Sequence, residues 1–401
     1  MASPVDGTAG LSGRRNADEH MLDDVEALTG NDPGGMLRAT ASAGAQVRES
    51  AALAAEANLT ALADEGRPRA VVVAGVGTAA RTGDVLATVA GFRSPVPVVA
   101  HRSSGVPGWV GAADVVIAVS ASGRSPEALH AAETAARRGA RLVAIGAPDS
   151  ELQALAERAR SPFIPVPRRA PARASLWCLT VPVLLAARAL GLIKLNEADL
   201  AETATRLDAD ADRCRPSAES FVNPAKTLAL DLAGSVPIIW GSSPLATVAA
   251  RRFADVLSAN ARYPAVAGAL GEAGRGRVGL LDGVFGGLVE STRDIFADPS
   301  DEDTADTRLR LVLVRDGGLG SEEDADEPIA VEERRADAVQ MLAERRGVRC
   351  SVVTAEGASP LERLASMVAV PDFASIYLAL AHGLDPMAVP AVSEMKELST
   401  Q

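Results

Sequence analysis

The segment Ser120-Ala121-Ser122-Gly123-Arg124-Ser125-Pro126-Glu127 sets three hydroxyls and a glycine directly before a helix start. The first turn of a helix leaves backbone N–H groups without partners, and the helix dipole adds positive character, so such a loop favours an anion such as phosphate. The same residues also spell a capped helix, with Ser125 at the N-cap and Pro126 at the first helical position. Both readings can hold at once. A second turn, Gly75-Val76-Gly77-Thr78-Ala79-Ala80, follows the β-branched run Val71-Val72-Val73 and matches a relaxed dinucleotide fingerprint with Ala80 in its third position. An NAD site wants an acidic residue at the end of the next strand, but Val99 is followed by Ala100-His101-Arg102. Arg102 suits the 2′-phosphate of NADP instead, which leaves an NADP-binding oxidoreductase open as an alternative.

Ligands of an open parallel sheet bind at the carboxyl ends of its strands, where the loops after Ala74 and Val119 emerge. The Val/Ile runs at 71–74, 96–99, 114–119 and 142–146 alternate with amphipathic stretches at 79–90 and 127–138. That alternation predicts a parallel sheet covered by helices on both faces. A second round follows Pro216, with strands at 236–240, 309–314 and 348–354 and helices at 224–232, 246–260, 330–345 and 360–370, then a helical tail at 372–398. The expected fold class is therefore α/β, with domains over 21–210 and 211–401 behind an aperiodic, disordered tail at 1–20. An Ala-rich helix broken near Asn58 is expected over 37–62. The acidic stretches 298–306 and 321–327 read as solvated insertions in the second domain.

Composition narrows the partners. A chain of 401 residues with 47% hydrophobic content can bury more than one core. The aromatic share of 3% leaves those cores to Ala, Val and Leu and argues against a base-stacking surface. A net charge of -12 opposes a phosphate backbone, so nucleic acid is not an expected partner. Cys178, Cys214 and Cys350 lie too far apart for a disulfide framework or a thiolate metal site and read as buried small hydrophobes, and neither metal nor cofactor is expected. The stretch 178–193 is too short for a membrane span and contains Arg188, so a buried helix and no membrane partner are expected. The first seven residues carry no apolar stretch behind a basic start, which points to the cytoplasm. His20 lies near the tail, and His101, His130 and His382 read as surface residues, His382 being able to approach a site near Lys396.

The run GVGTAARTGD (75–84) resembles the GMGGSxxxGD motif of the bifunctional phosphoglucose/phosphomannose isomerases, members of the sugar isomerase (SIS) superfamily, and SASGRSPE (120–127) resembles their SYSGNTEE phosphate loop. Further similarity lies in IPVPRRAPARASLW (164–177), NPAKTLALDLAGSVPIIWG (223–241), LATVAARRFADVLSANARYPA (245–265) and FASIYLALAHGLDPMAVPAVSEMKEL (373–398). The resemblance thus covers nearly everything from Met21 to Leu398. It implies two SIS-type, flavodoxin-like, doubly wound domains, a sugar-phosphate ligand such as glucose, mannose or fructose 6-phosphate, and a homodimer with shared sites. Carried across residue by residue, it puts Gly77, Thr78, Ser120, Ser122 and Ser125 around the phosphate. Arg173 would stabilise an enediolate, and Lys396 would lie near the sugar ring oxygen. Ala79 stands where the family has a serine.

Two departures bear on catalysis. The family's base sits in a motif like QxNENAK, and here VLSANAR (256–262) has Ala259 at the glutamate position. The ring-opening histidine sits in a motif like PExNHNE, and GEAGRGR (271–277) has Arg275 there. Aldose–ketose isomerisation needs a base that shuttles a proton between C1 and C2 and an acid–base group that opens the ring. Alanine can do neither, and arginine stays protonated. Glu272, in the same loop, is either a solvated carboxylate or a displaced base. The expected function is a sugar-phosphate isomerase-like protein that binds a phosphosugar, with a catalytically inactive carbohydrate-derivative-binding or regulatory protein as the alternative.

Overall fold

The computed structural model describes residues 16–60, 62, 66–92, 94–287, 308–317 and 327–400. Three helices come first: α1 (Val25–Asn31), α2 (Met36–Ala41) and α3 (Ala43–Glu56). Asp24 starts α1, its carboxylate accepting the N–H groups of Glu26 and Ala27, each at 3.0 Å. The Ala-rich stretch is parted at Ser42 and breaks, as expected, before Asn58, whose φ is 33°, with Leu62 helical again beyond it. Within the stretch expected to be a tail, residues 16–20 are tied down: the Asp18 N–H donates to the Ala381 carbonyl at 2.8 Å, and a helical turn begins at His20. Residues 1–15, the acidic stretch 298–306 and all but the last residue of 321–327 lie outside the described residues.

The next elements are β1 (Val71–Ala74), α4 (Thr78–Ala90), β2 (Val98–His101), β3 (Val115–Ser120), α5 (Pro126–Arg137), β4 (Arg141–Gly146), α6 (Glu151–Arg158) and β5 (Phe163–Pro165). Their strands form a parallel five-stranded sheet in the order β2-β1-β3-β4-β5. Every residue of β1 and β3 is buried, as continuous Val/Ile runs between two helical layers require. The winding reverses between β1 and β3, so the loops leaving these strands part and open a crevice.

The helices α7 (Leu176–Ala189), α8 (Glu197–Arg213) and α9 (Pro224–Leu232) lead into β6 (Ser235–Gly241), α10 (Pro244–Val256), β7 (Val266–Ala269), the single turn α11 (Leu270–Ala273), β8 (Arg308–Arg315), α12 (Glu327–Arg345), β9 (Cys350–Thr354), α13 (Pro360–Ala381) and α14 (Pro390–Thr400). The second sheet is also parallel, in the order β7-β6-β8-β9, which repeats the reversal of the first. Proline is expected to end a helix, yet α13 runs through Pro371. Its burial against α8, α9 and α10 carries it across the missing hydrogen bond. Among the described residues α13 alone is long and apolar enough to cross a membrane, and 83% of its most apolar window is buried inside the protein.

One apolar cluster joins the two sheets. It runs from Val71, Val73 and Ile117 through α7 and α13 to Ile239, Val312 and Val314. Separate clusters around Val72 and Val116, and around Ile238 and Trp240, cover the outer faces. The strands therefore carry apolar side chains on both sides. Cys178 and Cys214 are buried in this interior as expected, while Cys350, on the edge strand β9, is only partly buried.

Candidate functional site

The crevice of the first sheet is built from two close approaches. A Cβ on Gly75 would lie 2.8 Å from the Val119 carbonyl oxygen, so only glycine lets the first loop lie against the second strand. Gly123 has φ 66°, and a Cβ there would meet Ser150 Oγ at 2.1 Å. Between these glycines lies Ser120, 3% exposed at the end of β3. Its Oγ accepts the Ser125 N–H at 3.3 Å and lies 3.4 Å from Ser122 Oγ. Ser122 Oγ in turn accepts the Arg124 N–H at 3.2 Å. Two hydroxyls and two backbone donors thus already face one another, the donor set that an oxyanion recruits.

Ser125 caps the helix that follows. Its Oγ accepts the Ala128 N–H at 3.4 Å and donates to the Glu127 carboxylate at 2.8 Å, which makes it the N-cap of α5. Across the crevice, Gly77 takes φ 60° to turn the chain into α4, whose first residue is Thr78.

Arg173 lies in a 3-10 turn, Ala172–Ala174, between β5 and α7. Its Nη2 donates to the carbonyls of Pro386 at 2.6 Å and Met387 at 2.8 Å, and its Nε is buried without a hydrogen-bond partner among the described residues. Burial pulls this guanidinium below its ordinary pKa, opposed by Asp385 and assisted by Arg262. Arg262 donates to the carbonyls of Asp385 at 3.1 Å and of Ala388. Two arginines therefore clamp the turn that leads into α14, the exposed helix that carries Lys396. Behind Arg173, Arg252 forks the Asp372 carboxylate at 3.1 and 2.9 Å and also holds the Arg173 carbonyl.

Ala259 is half-buried in a π-helical turn, Leu257–Ala261, that continues α10. Such turns recur at functional sites. Its neighbour Asn260 is buried and donates to Ser375 Oγ at 2.8 Å. Glu272 and Arg275 are both exposed and line a shallow cavity of about 580 Å³ with Arg277 and Leu280. No residue of the 75–78 or 120–125 loops lines that cavity.

His382 is not a surface residue. It is 5% exposed, with Nε2 3.2 Å from the Tyr263 hydroxyl, because it caps the end of the buried helix α13. Arg102, the residue that suited NADP, sets Nη2 2.6 and 2.5 Å from the Asp84 oxygens. Asp84 also accepts from Arg81 at 2.9 Å, and Arg81 forks Asp255 of α10 at 2.6 and 3.0 Å. These charges tie the first half of the chain to the second.

A polar cluster that the sequence reading passed over sits at the matching place in the second sheet, formed by Ser242, Ser243, Asp316 and Arg363. Its signal was present: Gly241-Ser242-Ser243-Pro244 repeats the hydroxyl-then-proline helix start of 120–126.

Residues 221–398 match the bacterial phospho-glucose isomerase C-terminal SIS domain. A bifunctional phosphoglucose/phosphomannose isomerase from Caldicellulosiruptor bescii is 27% identical over 331 residues, spanning 81% of this chain and 88% of that protein. The second half of the chain thus matches a SIS domain of this type, and the chain over most of its length is similar to these bifunctional isomerases. Solved structures share the fold of this chain. A hypothetical protein from Thermus thermophilus superimposes with a TM-score of 0.67 at 15% identity, covering 95% of this chain and 94% of that one. A glucose-6-phosphate isomerase like protein from the same organism gives a TM-score of 0.52 at 20% identity, with 92% and 99% covered. The C-terminal domain of glucosamine-fructose-6-phosphate aminotransferase from Francisella tularensis gives 0.58 at 13% identity, with 87% and 96% covered.

Proposed function

We propose that this protein binds a sugar phosphate in the crevice between β1 and β3 and does not isomerise it through the base and ring-opening pair of the bifunctional isomerases it resembles. The observation that carries the reading is the closed circuit of Ser120, Ser122 and the N–H groups of Arg124 and Ser125. A phosphate entering there exchanges weak neutral contacts for charge-assisted ones at little cost in reorganisation. Ser120 and Ser122 donate to its oxygens, the Gly77-Thr78 turn closes the other side, and Ser125 stays with its helix.

Chemistry at C1 and C2 is a separate matter. Ala259 offers no proton acceptor where the family has a carboxylate, and Arg275 cannot act as an acid–base group near neutral pH. Glu272 points from an exposed turn, so a role as base needs that turn to move inward. Arg173, engaged with the 386 and 387 carbonyls, acts in this reading as a positioning residue for the turn that carries Lys396. A cytoplasmic homodimer completes the proposal, by the resemblance to the bifunctional isomerases.

The test uses purified protein and fructose 6-phosphate. Calorimetry is expected to register binding, while no glucose or mannose 6-phosphate accumulates and no deuterium from solvent enters C2. Turnover that disappears in Glu272→Gln would replace this reading with an isomerase that uses a displaced base. Absence of binding by any hexose 6-phosphate would remove the crevice assignment.

A further inference from the structure

The second sheet repeats the strand order of the first and so owns an equivalent crevice, between β6 and β8. Its loops carry similar ingredients. Ser243 caps the 13-residue helix α10, its Oγ accepting the Ala246 N–H at 3.1 Å. This crevice, however, already holds an anion. Asp316, one residue beyond β8 and 9% exposed, accepts a hydrogen bond from Ser243 Oγ on Oδ2 at 2.5 Å. Its Oδ1 forms an ion pair with Arg363 Nε of α13 at 3.0 Å. The Asp316 N–H donates to Ser242 Oγ at 3.0 Å, and that hydroxyl donates to Glu333 at 3.0 Å. Glu333 is held by Arg315 at 2.9 and 2.7 Å. A hydroxyl and a guanidinium thus converge on one carboxylate beside the Ser243-capped start of α10, groups that recognise an oxyanion. The loop 120–125 of the first crevice has no acidic residue to play this part.

We infer that the Asp316 carboxylate is the resident anion of the second crevice. It takes the place that a ligand phosphate would occupy, so the chain offers one sugar-phosphate site and not two. The count of one rests on the phosphate reading of the first crevice, whereas the closure of the second does not.

Asp316→Gly removes the carboxylate and leaves Ser243, Arg363 and the start of α10 around a gap. Thermal melting is compared in inorganic phosphate and in sodium chloride of equal ionic strength, with Ser120→Ala and Ser122→Ala present throughout so that the first crevice does not contribute. Asp316→Gly is expected to melt lower than this background and to regain on the order of 2 °C in phosphate at ten times its dissociation constant. The background and Asp316→Asn, whose amide fills the gap, respond to phosphate no more than to chloride. A phosphate response equal in all three, or none in Asp316→Gly, overturns the inference. Should Asp316→Gly fail to fold, the intact protein decides: the amide resonances of Leu245 and Ala246 stay in place as phosphate is added, and movement there overturns it. Failure of wild-type protein to bind any sugar phosphate would remove the first-crevice reading and leave these outcomes unaffected.

Discussion

Ser120 and Ser125 are alike in type and sit in one loop, yet their hydrogen bonds assign them different tasks. Replacing Ser120 and Ser122 together with alanine removes two donors to a bound phosphate. Affinity for fructose 6-phosphate is then expected to fall at least ~10-fold by calorimetry, with little change in melting. Ser125→Ala should instead cost about 1 kcal/mol of stability by urea unfolding, because it removes an N-cap. Arg252 and Asp372 are a stricter case. Arg252→Met alone leaves a buried carboxylate unpaired, so a loss of about 3–5 kcal/mol is expected, and pairing it with Asp372→Leu should recover much of that. Unfolding of the double variant at the same urea concentration as the single one would contradict this account. At this scale the residue types were legible from the chain alone, since hydroxyls before a helix, Ala259 and Arg275 need no structure to be seen. The partners of Arg173 were not, because carbonyls more than 200 residues away carry no signal in its own neighbourhood.

Element by element, close approach decides more than propensity. A Cβ on Gly241 would lie 2.2 Å from the Thr247 backbone nitrogen, which cannot step aside as a side chain could. Gly241→Ala is therefore expected to push α10 off β6 and cost about 1–3 kcal/mol, whereas Gly279→Ala, with nothing within 4 Å of its Cβ, should change melting little. Most strands and helices announced themselves through Val/Ile runs and helical periodicity, as 71–74 and 224–232 did. The exceptions have physical reasons. Helix α13 passes through Pro371 because packing on three helices outweighs one missing hydrogen bond. Strands β5 and β7 lack a Val/Ile run: β5 is Phe163-Ile164-Pro165, and β7 is Val266 followed by Ala267, Gly268 and Ala269. Helix α8 was overlooked although its capping box, Asn196 with Asp199 at 2.8 and 3.1 Å, is written in the sequence.

For the whole molecule, the continuous core around α7 and α13 has a consequence at high pH. Burial pushes the Cys178 thiol up to about 11 and the Cys214 thiol up to about 12, from an ordinary value of 9.0. A raised folded-state value means the native protein keeps protons that the unfolded chain releases. This contribution is complete below pH 9.0 and is lost as pH climbs toward about 11 and 12. Each thiol then weakens the fold by ~1.4 kcal/mol per pH unit. The Lys226 ammonium, buried and donating to the Pro216 and Ala218 carbonyls at 2.8 and 2.7 Å, is pulled down by burial and gives an opposing slope. The Cys350 thiol is likewise pushed up to about 11 by burial, so three thiols against one amine predict a melting temperature that drops above pH 9, and a shallower drop in Cys178→Ala/Cys214→Ala. An unchanged profile in that variant would rule out those two thiols as its cause. By itself the amino-acid sequence determined the α/β class, the two rounds of strands and helices and the hydroxyl-rich loop before a helix start, because these follow from local periodicity and residue chemistry. Only the tertiary structure decided that Arg173 clamps the turn before α14, that Arg102 is committed to Asp84, and that Asp316 fills the second crevice. Those facts depend on which distant side chains share a buried volume, and no local pattern along the chain records that.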